Sequence, residues 1–204
     1  MAERPRVAAV VLAAGSSARM GRNKLLLELG GETLVRRAVR AAGAAGVDDV
    51  VVVLGHDEAR VRAELAGLAC TPVVNPEHAE GAGTSVRAGI RRLAGEADAT
   101  VFVLADMPFV TGGMIATLVQ RYRQTRPLLV VSRYGDVQAP PTLYDRALFD
   151  ELLRIPGERS AKDVVLRHER EAVVVSWPES ARRDIDVPAD YEGARAELAG
   201  SGEP

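Results

Sequence analysis

Two cations and three carboxylates of this chain have types and positions suited to chemistry on phosphorylated compounds. Arg19 and Lys24 lie in the segment VVLAAGSSARMGRNKLLLELGG, which begins as an apolar strand and continues as a polar loop bounded by glycines. Asp106 ends the apolar run VFVLAD, and two further aspartates alternate in RRDIDVP. Arginine can bind two phosphate oxygens at once, and lysine adds a mobile charge. Carboxylates are ligands for Mg²⁺, so these residues indicate a site for a triphosphate and a metal ion.

The spacing of the glycines excludes two common phosphate-binding motifs. A Walker A loop has two glycines that are separated by four residues, followed by Lys and then Ser or Thr. Here five residues separate Gly15 from Gly21, and Arg and Asn follow. A dinucleotide fingerprint needs a glycine two residues after the first, which Gly15 lacks. A plain connection of about two to six residues would be much shorter than the stretch from Ala13 to Thr33. Because Gly15 lets backbone amides approach an anion, the loop favours phosphate binding.

A second candidate segment, NPEHAEGAGTSVRAG, lies between a predicted strand and a predicted helix. Gly81 gives the backbone conformational freedom there. A helix that starts at Thr84 or Ser85 would present free amides and a partial positive charge. Taken alone, the segment fits a flexible loop with a capping hydroxyl better than a binding site.

Two aspartate positions could supply metal ligands. Asp106 follows directly after an apolar strand that Pro108 stops. It could form a turn, but a carboxylate that faces a phosphate loop is also a good Mg²⁺ ligand. Asp184 and Asp186 flank Ile185, so both would point to one face of an extended segment.

The elements that position these residues are strands alternating with amphipathic helices. The valine run at 51–53 is continuous, which is typical of a strand covered on both faces. We therefore expect an α/β fold: a three-layer, doubly wound, Rossmann-like arrangement with a mostly parallel sheet. Ligands bind such sheets at the carboxyl ends of the strands. The predicted strands are 7–12, 50–54, 72–74, 100–104, 128–132 and 172–176. The predicted helices begin near residues 33, 57, 84 and 111.

The length of 204 residues suits a single domain, which we expect over residues 1–200, with a frayed tail at 201–204. After Gly135 the alternation breaks. We interpret residues 135–170 as a small lobe added to the sheet, with short helices near 145–153 and 160–168. A last helix is predicted over 188–198. The N-terminal apolar run is too short to span a bilayer, and we expect a cytoplasmic protein.

Composition argues against several kinds of partner and site. The 26 basic and 28 acidic residues nearly balance, so no clustered basic excess indicates a nucleic-acid partner. Cys70 is the single cysteine, which excludes an intramolecular disulfide and a cysteine-based zinc cluster. We interpret it as a small buried hydrophobic residue. The three histidines lie in separate segments without metal-ligand spacing, and we interpret them as surface residues.

The segment LAAGSSARMGRNKLLLELGGETLV resembles the signature of the MobA-like NTP transferases that attach nucleotides to molybdopterin, the molybdenum cofactor. The match is closest to the cytidylyltransferase branch. The guanylyl branch has a second glycine in place of Ala14, and a methyl group there would narrow the space beneath a base and favour a pyrimidine. The resemblance implies a nucleotidyltransferase that uses Mg²⁺ and moves CMP from CTP to molybdopterin with release of pyrophosphate. It implies transient contact with molybdoenzymes or their chaperones, and no nucleic acid or membrane.

The resemblance also assigns roles at the matching positions. Arg19, Lys24 and Asp106 are expected to be catalytic. The D-x-P and D-I-D-x-P-x-D motifs imply that Asp106 and Asp186 bind the metal ion, with Asp184 as the alternative to Asp186. The expected nucleotide contacts are Leu12, Ala13, Ala14, Gly15, Ser17, Arg19, Lys24, Asn75, Gly81 and Ser85.

The resemblance weakens between residues 135 and 170, the part that faces the acceptor in the family. Where the cytidylyl branch has a Gly-His-Pro turn, this chain reads QAPP, and where the family has G-D-x-G-A-R it reads PGERSAKDVV. Arg159 or Lys162 could replace the missing cation. This departure leaves nucleotide handling intact and the acceptor open. The alternatives are another phosphorylated acceptor, GTP as the donor, or a nucleotide-binding module without catalysis.

Overall fold

The computed structural model describes residues 4–93 and 95–200. The strands in this part are β1 (Val7–Ala13), β2 (Glu28–Leu29), β3 (Glu32–Thr33), β4 (Asp49–Leu54), β5 (Thr71–Val74), β6 (Ala99–Leu104), β7 (Leu129–Tyr134), β8 (Val137–Asp145) and β9 (Ala172–Trp177). The helices are α1 (Leu34–Gly43), α2 (Glu58–Glu64), α3 (Ala82–Leu93), α4 (Gly112–Thr125), α5 (Phe149–Leu153), α6 (Lys162–Arg167) and α7 (Pro188–Gly200). The predicted tail at 201–204 lies outside the described residues.

Seven strands form the main sheet in the order β5-β4-β1-β6-β8-β7-β9, and helices cover both of its faces. β1 is parallel to β4 and to β6. Its side chains are apolar on both faces because both are buried. The predicted three-layer α/β fold with a mostly parallel sheet is confirmed. Since Leu12 of β1 pairs with Leu104 of β6, the loops that follow these two strands leave the same edge of the sheet.

The prediction of a small lobe added to the sheet over residues 135–170 includes no strand, but the structure has β8 there. It lies within the sheet, antiparallel to β6 and to β7. The sequence pattern predicts no strand here because two prolines, which cannot donate to a ladder, interrupt it. The structure tolerates Pro140 and Pro141 because the β7–β8 register shifts between Val131 and Arg133, opposite these prolines. The remaining part of the predicted lobe contains α5 and α6 and packs on the sheet.

The start of α3 also differs from the prediction. α3 begins at Ala82, so Thr84 and Ser85 lie inside its first turn and do not precede it as caps. Gly81 has φ 120°, a backbone conformation suited to glycine, and it turns the chain into the helix. The other predicted helices are present, and none in the described part is long and apolar enough to cross a membrane.

A small apolar cluster connects the loop after β1 with the segment before α7. Met20 and Leu29 from the loop region pack with Ile185 and Ala194, and Ile185 is completely buried. Burial of such a side chain stabilises the fold by about 1.5–3 kcal/mol. Because Ile185 lies between Asp184 and Asp186, its burial anchors both carboxylates beside the loop.

His168 connects α5 to the end of α6 and makes stability depend on pH. Its Nε2 lies 2.8 Å from Glu151 Oε1, and its Nδ1 lies 3.2 Å from Glu171 Oε1. The hydrogen bond with Glu151 raises the pKa of His168 above its ordinary 6.5. The folded state therefore holds the proton more tightly than the unfolded state. The resulting stabilisation is complete below pH 6.5 and is lost as the pH rises through the raised pKa.

We expect His168→Gln to lower the free energy of unfolding by about 0.2–1 kcal/mol below pH 6.5, the range for partly exposed ion pairs. Well above the raised pKa this ionic contribution vanishes. Urea denaturation of both proteins across this pH range measures the difference. In a Glu151→Gln background, which removes the main partner of His168, the effect of His168→Gln should depend much less on pH, with Glu171 as the remaining partner. An equal effect of His168→Gln at all pH values would show that the ion pair contributes nothing.

Candidate active site

The loop after β1 is held in a folded-back conformation by its own residues. Ser17 and Gly21 have φ values of 54° and 65°. Positive φ is uncommon for a residue such as serine and often occurs at functional sites. The Ser17 hydroxyl accepts a hydrogen bond from the Lys24 amide at 3.1 Å, and the Asn23 side chain accepts one from the Leu25 amide at 3.0 Å. These bonds return the chain to the sheet edge and place Lys24 there.

Lys24 lies between two of the predicted metal ligands. Its Nζ is 2.6 Å from Asp106 Oδ2 and 2.8 Å from Asp186 Oδ1, and its side chain is only 11% exposed. Asp186 also accepts a hydrogen bond from Arg19 Nη2 at 2.8 Å. Burial disfavours the charge of Lys24, but the attraction of Asp106 and Asp186 outweighs burial and raises its pKa. The structure therefore brings these four predicted residues into one cluster, which we call the charged cluster.

Asp184 lies close to the charged cluster, but its pKa shifts in the opposite direction from that of Asp186. Burial, followed by repulsion from Asp106 and Asp186, raises the pKa of Asp184. The hydrogen bond from Lys24 is the main cause that lowers the pKa of Asp186. The Ile185 amide donates a hydrogen bond to the Asp106 carbonyl at 3.0 Å. This bond joins the backbone between Asp184 and Asp186 to the backbone of Asp106. Asp186 is thus the aspartate that is readily charged and bonded to cations, which favours it over Asp184 as a metal ligand.

Asp106 and Asp186 fit a divalent cation. One ammonium group bridges them, so an oxygen of each lies within 2.8 Å of a common point. Mg²⁺ takes oxygen ligands, commonly one or two carboxylates together with substrate phosphates. No group of three or more His, Cys, Asp or Glu side chains that could hold a metal ion is found among the described residues. The remaining ligands would therefore come from phosphate and water, and Lys24 would move from the carboxylates to the phosphates.

Asn75 organises the second candidate segment from the inside. Its side chain is buried, and its Nδ2 donates to Thr84 Oγ1 at 2.7 Å and to Ser85 Oγ at 3.0 Å. Its Oδ1 accepts a hydrogen bond from the Glu77 amide at 3.0 Å. Both hydrogens of this amide group are thus engaged, so it could donate to a nucleotide only by giving up one of these bonds. Since Ser85 is also buried, the predicted contacts at both positions stay predictions, and the observed role is to shape the segment.

Gly55 connects the two candidate segments. A Cβ atom at Gly55 would lie 2.8 Å from Ala14 Cβ and 2.6 Å from His78 Cβ. Ala14 is buried, so its methyl group packs against Gly55 as well as bordering the loop. The ring centroids of His56 and His78 are 6.4 Å apart. The sequence pattern gives no sign that these histidines meet, because they come from loops after two different strands.

The predicted contacts on β1 lie at the sheet edge. Leu12 is partly exposed, whereas Ala13 is buried and can offer a ligand only its backbone. Gly15 is exposed, and a Cβ there would meet no atom within 4 Å. The space beside Gly15 is thus open to a ligand. The Leu12 carbonyl accepts a hydrogen bond at 3.2 Å from the amide of Ala105, the residue before Asp106.

The loop at 156–159 packs directly on the start of α3. The Gly83 amide donates to the Gly157 carbonyl at 2.9 Å. A Cβ atom at Gly81 would lie 2.3 Å from the Gly157 oxygen, and one at Gly83 would lie 2.1 Å from the Pro156 oxygen. The Gly83 amide is therefore already bound within the chain, and Gly81 faces this loop. Glycine is required at both positions because the two segments are in backbone contact.

We expect Gly83→Ala to lower the free energy of unfolding by about 1–3 kcal/mol, as overpacking of a filled site does. Gly113→Ala is the matched control. Gly113 is likewise the second residue of its helix, and the nearest atom to a Cβ there is Thr111 Oγ1 at 3.7 Å. The control should be neutral or slightly stabilising, since alanine favours helix. Urea denaturation of both variants measures the effect, and equal stabilities would contradict the close packing at Gly83.

Comparison with known proteins finds relatives over most of this chain. Residues 9–173 match the sequence profile of the family described as MobA-like NTP transferase domain. The chain is similar to the bifunctional protein GlmU of Rhodococcus opacus, with 31% identity over 166 residues that cover 78% of this chain and 32% of GlmU. It thus spans about a third of the length of that relative. It is also similar to the purine catabolism protein PucB of Bacillus subtilis, with 27% identity over 205 aligned residues that cover 96% of this chain and 98% of PucB.

A solved structure is similar over most of the chain. It is the crystal structure of Rv0371c from Mycobacterium tuberculosis H37Rv in complex with manganese. The TM-score is 0.79 at 25% identity, and the match covers 94% of this chain and 98% of Rv0371c.

Proposed function

This chain belongs to the MobA-like NTP transferase family, and from that membership we propose that it transfers CMP from CTP to a phosphate monoester and releases pyrophosphate. The observation that carries the proposal is the charged cluster, in which Arg19 and Lys24 meet Asp106 and Asp186 at the sheet edge. A module that only binds nucleotides would have little need for two carboxylates beside two cations.

The proposed step is an in-line substitution at the α-phosphorus of CTP. An oxygen of the acceptor phosphate forms a bond to this phosphorus, and the bond from the α-phosphorus to the bridging oxygen of the β-phosphate breaks. No covalent enzyme intermediate is required, because positioning and charge stabilisation suffice for such transfers.

Each residue of the charged cluster has a proposed part in this step. Arg19 would bind two phosphate oxygens, and Lys24 would stabilise the negative charge that develops on the departing pyrophosphate. Asp106 and Asp186 would hold Mg²⁺. When bound, this ion would neutralise the triphosphate and help to align the attacking and leaving oxygens. The manganese complex of Rv0371c supports a divalent cation in this fold.

The resemblance of the segment from Leu12 to Val35 implies CTP as the donor and molybdopterin as the acceptor, and the preference for cytidine rests on Ala14. We propose that residues 1–200 act as one domain and that residues 135–170 face the acceptor. A cytoplasmic location and transient contact with molybdoenzymes or their chaperones belong to the same proposal. GTP is the alternative donor. The alternative without chemistry predicts that CTP binds and no pyrophosphate is released.

A pyrophosphate-release assay tests the proposal. Each of the four nucleoside triphosphates is supplied with Mg²⁺, with and without molybdopterin. We expect release to be fastest with CTP and to require both the metal ion and an acceptor phosphate. A preference for GTP would overturn the choice of donor. Tight CTP binding without any release, whatever the acceptor, would overturn the enzymatic function.

A further inference from the structure

A pocket of about 290 Å³ lies between the sheet and helices α3 and α6 and reaches the carboxyl ends of β1 and β6. Leu12 and Leu104 form its inner end. Leu12 is the next-to-last residue of β1 and Leu104 is the last residue of β6, so they lie shortly before the loop after β1 and before Asp106 respectively. The pocket therefore begins where the transferred group would be and extends beneath α6. Its volume is at the lower end of the range for small-molecule pockets, about 300–1,000 Å³.

The walls of the pocket are mostly hydrocarbon. Phe102 and Tyr144 form the floor. Their rings pack edge to face, and the ring centroids are 5.6 Å apart. Val86 of α3 and Val165 of α6 form the sides. The Tyr144 hydroxyl, the polar atom of the floor, already donates to the Ala161 carbonyl at 3.1 Å. A heterocycle or sugar with several donors and acceptors would find few partners here, and each buried unpaired group costs about 1–3 kcal/mol.

The polar side chains that line the pocket are few: Gln138, Thr142, Ser160 and Lys162. Gln138 Nε2 lies 3.3 Å from Glu169 Oε1, so it is partly engaged. Lys162 is exposed, and within the described ranges 4–93 and 95–200 no ion pair is recorded for its ammonium group. An exposed cation beside an apolar pocket complements a ligand with one anionic end and a hydrocarbon body.

Resting on the proposed nucleotidyl transfer, and in place of molybdopterin as its acceptor, we propose that the acceptor is the phosphate monoester of a compact apolar alcohol. Its hydrocarbon part fills this pocket, and its phosphate lies at the opening, within reach of Lys162 and of the charged cluster. A phosphate oxygen forms a bond to the α-phosphorus of CTP, and the electron pair of the broken bond leaves with pyrophosphate. The product is a diphosphate diester of cytidine and the alcohol. No oxidant, reductant or proton donor is needed.

Pyrophosphate release from CTP with three acceptors tests this proposal. The probes are geranyl phosphate, glucose 1-phosphate and molybdopterin, each with saturating CTP and Mg²⁺. We expect kcat/KM to be at least about tenfold higher for geranyl phosphate, the ratio that 1.4 kcal/mol of preference gives. A higher kcat/KM for glucose 1-phosphate or molybdopterin overturns the apolar acceptor and leaves the proposed nucleotidyl transfer intact. Release with none of the three, despite CTP binding, overturns both.

A pocket-filling variant tests, with geranyl phosphate as the probe, whether the acceptor lies in this pocket. Ala139 lines the pocket and is partly buried, so Ala139→Leu should lower kcat/KM for geranyl phosphate about tenfold or more. Ala63→Leu, at an exposed position on α2, is the matched control and should change nothing. CTP affinity and thermal unfolding report whether the variant is folded. If Ala139→Leu folds, binds CTP and accepts geranyl phosphate as well as the control does, the pocket does not hold the acceptor.

Should Ala139→Leu not fold, Lys162→Met provides the second variant. Lys162 is exposed, so its replacement should leave the fold unchanged. We expect KM for geranyl phosphate to rise and CTP affinity to stay the same. An unchanged KM would contradict the placement of the acceptor phosphate at this opening.

Discussion

Replacing Asp106 with asparagine is expected to reduce pyrophosphate release by about 10²–10³-fold, the loss seen when one preorganised charge-stabilising group is removed. Asp106 bonds to the Lys24 ammonium at 2.6 Å and is proposed to hold Mg²⁺ with Asp186. Asparagine keeps the shape of the side chain but removes the charge that binds the ion. We expect kcat to fall at saturating CTP, and higher Mg²⁺ concentrations to restore part of the rate.

Two variants serve as controls for Asp106→Asn. Asp150→Asn changes an exposed aspartate on α5 and should leave the rate unchanged. Asp184→Asn should cost less than Asp106→Asn, because Asp106 and Asp186 are the aspartates that contact the Lys24 ammonium group in the described part of the chain. If Asp106→Asn released pyrophosphate at the rate of the unaltered protein, the proposed metal site would be wrong.

The second large effect concerns Lys24, whose methionine variant should lose both activity and stability. Removing the ammonium group leaves Asp106 and Asp186 facing each other without a counter-charge. Hydrogen bonds to charged groups contribute about 1.5–3 kcal/mol each. These carboxylates are 23% and 34% exposed, so solvent screens part of the repulsion, and we expect the loss of stability to be near the lower value. The rate should fall by about 10²-fold or more.

Mg²⁺ gives Lys24→Met a distinctive signature. In the unaltered protein the ion must compete with the ammonium group for the two carboxylates, whereas in the variant it can bind them directly. Added Mg²⁺ should therefore raise the unfolding temperature of Lys24→Met more than that of the unaltered protein. Arg22→Met, which changes an exposed cation of the same loop, should show neither effect. An equal response of all three proteins to Mg²⁺ would contradict the shared position of lysine and metal.

The sequence predicts most of the sheet because the patterns there are strong. The continuous valines of β4 predict a strand buried on both faces, and β4 occupies that position. β8 is missed because the stabilising feature is not local. Its prolines are tolerated only through the shifted register with β7, and such pairing cannot be seen in the segment itself.

The candidate site divides in the same way. Asp106 and Asp186 stand in recognisable motifs, and their proximity follows from the sheet edge and the buried Ile185. Lys24 lies between them although it is 162 residues from Asp186 in the chain. No local sequence pattern specifies such a contact. The packing of Gly157 on Gly83 and of His78 on Gly55 also depends on tertiary contacts. The sequence indicates these contacts only through the glycines themselves, which lack the side chain that would clash.

The most direct test of the central claim follows the phosphorus atoms of CTP. The protein is incubated with Mg²⁺, an acceptor phosphate and CTP that is radiolabelled at either the α- or the γ-phosphorus. We predict that the α-label enters the acceptor product and the γ-label appears only in pyrophosphate. Transfer of the γ-label to the acceptor, or bound CTP with both labels unchanged, would contradict nucleotidyl transfer at this site.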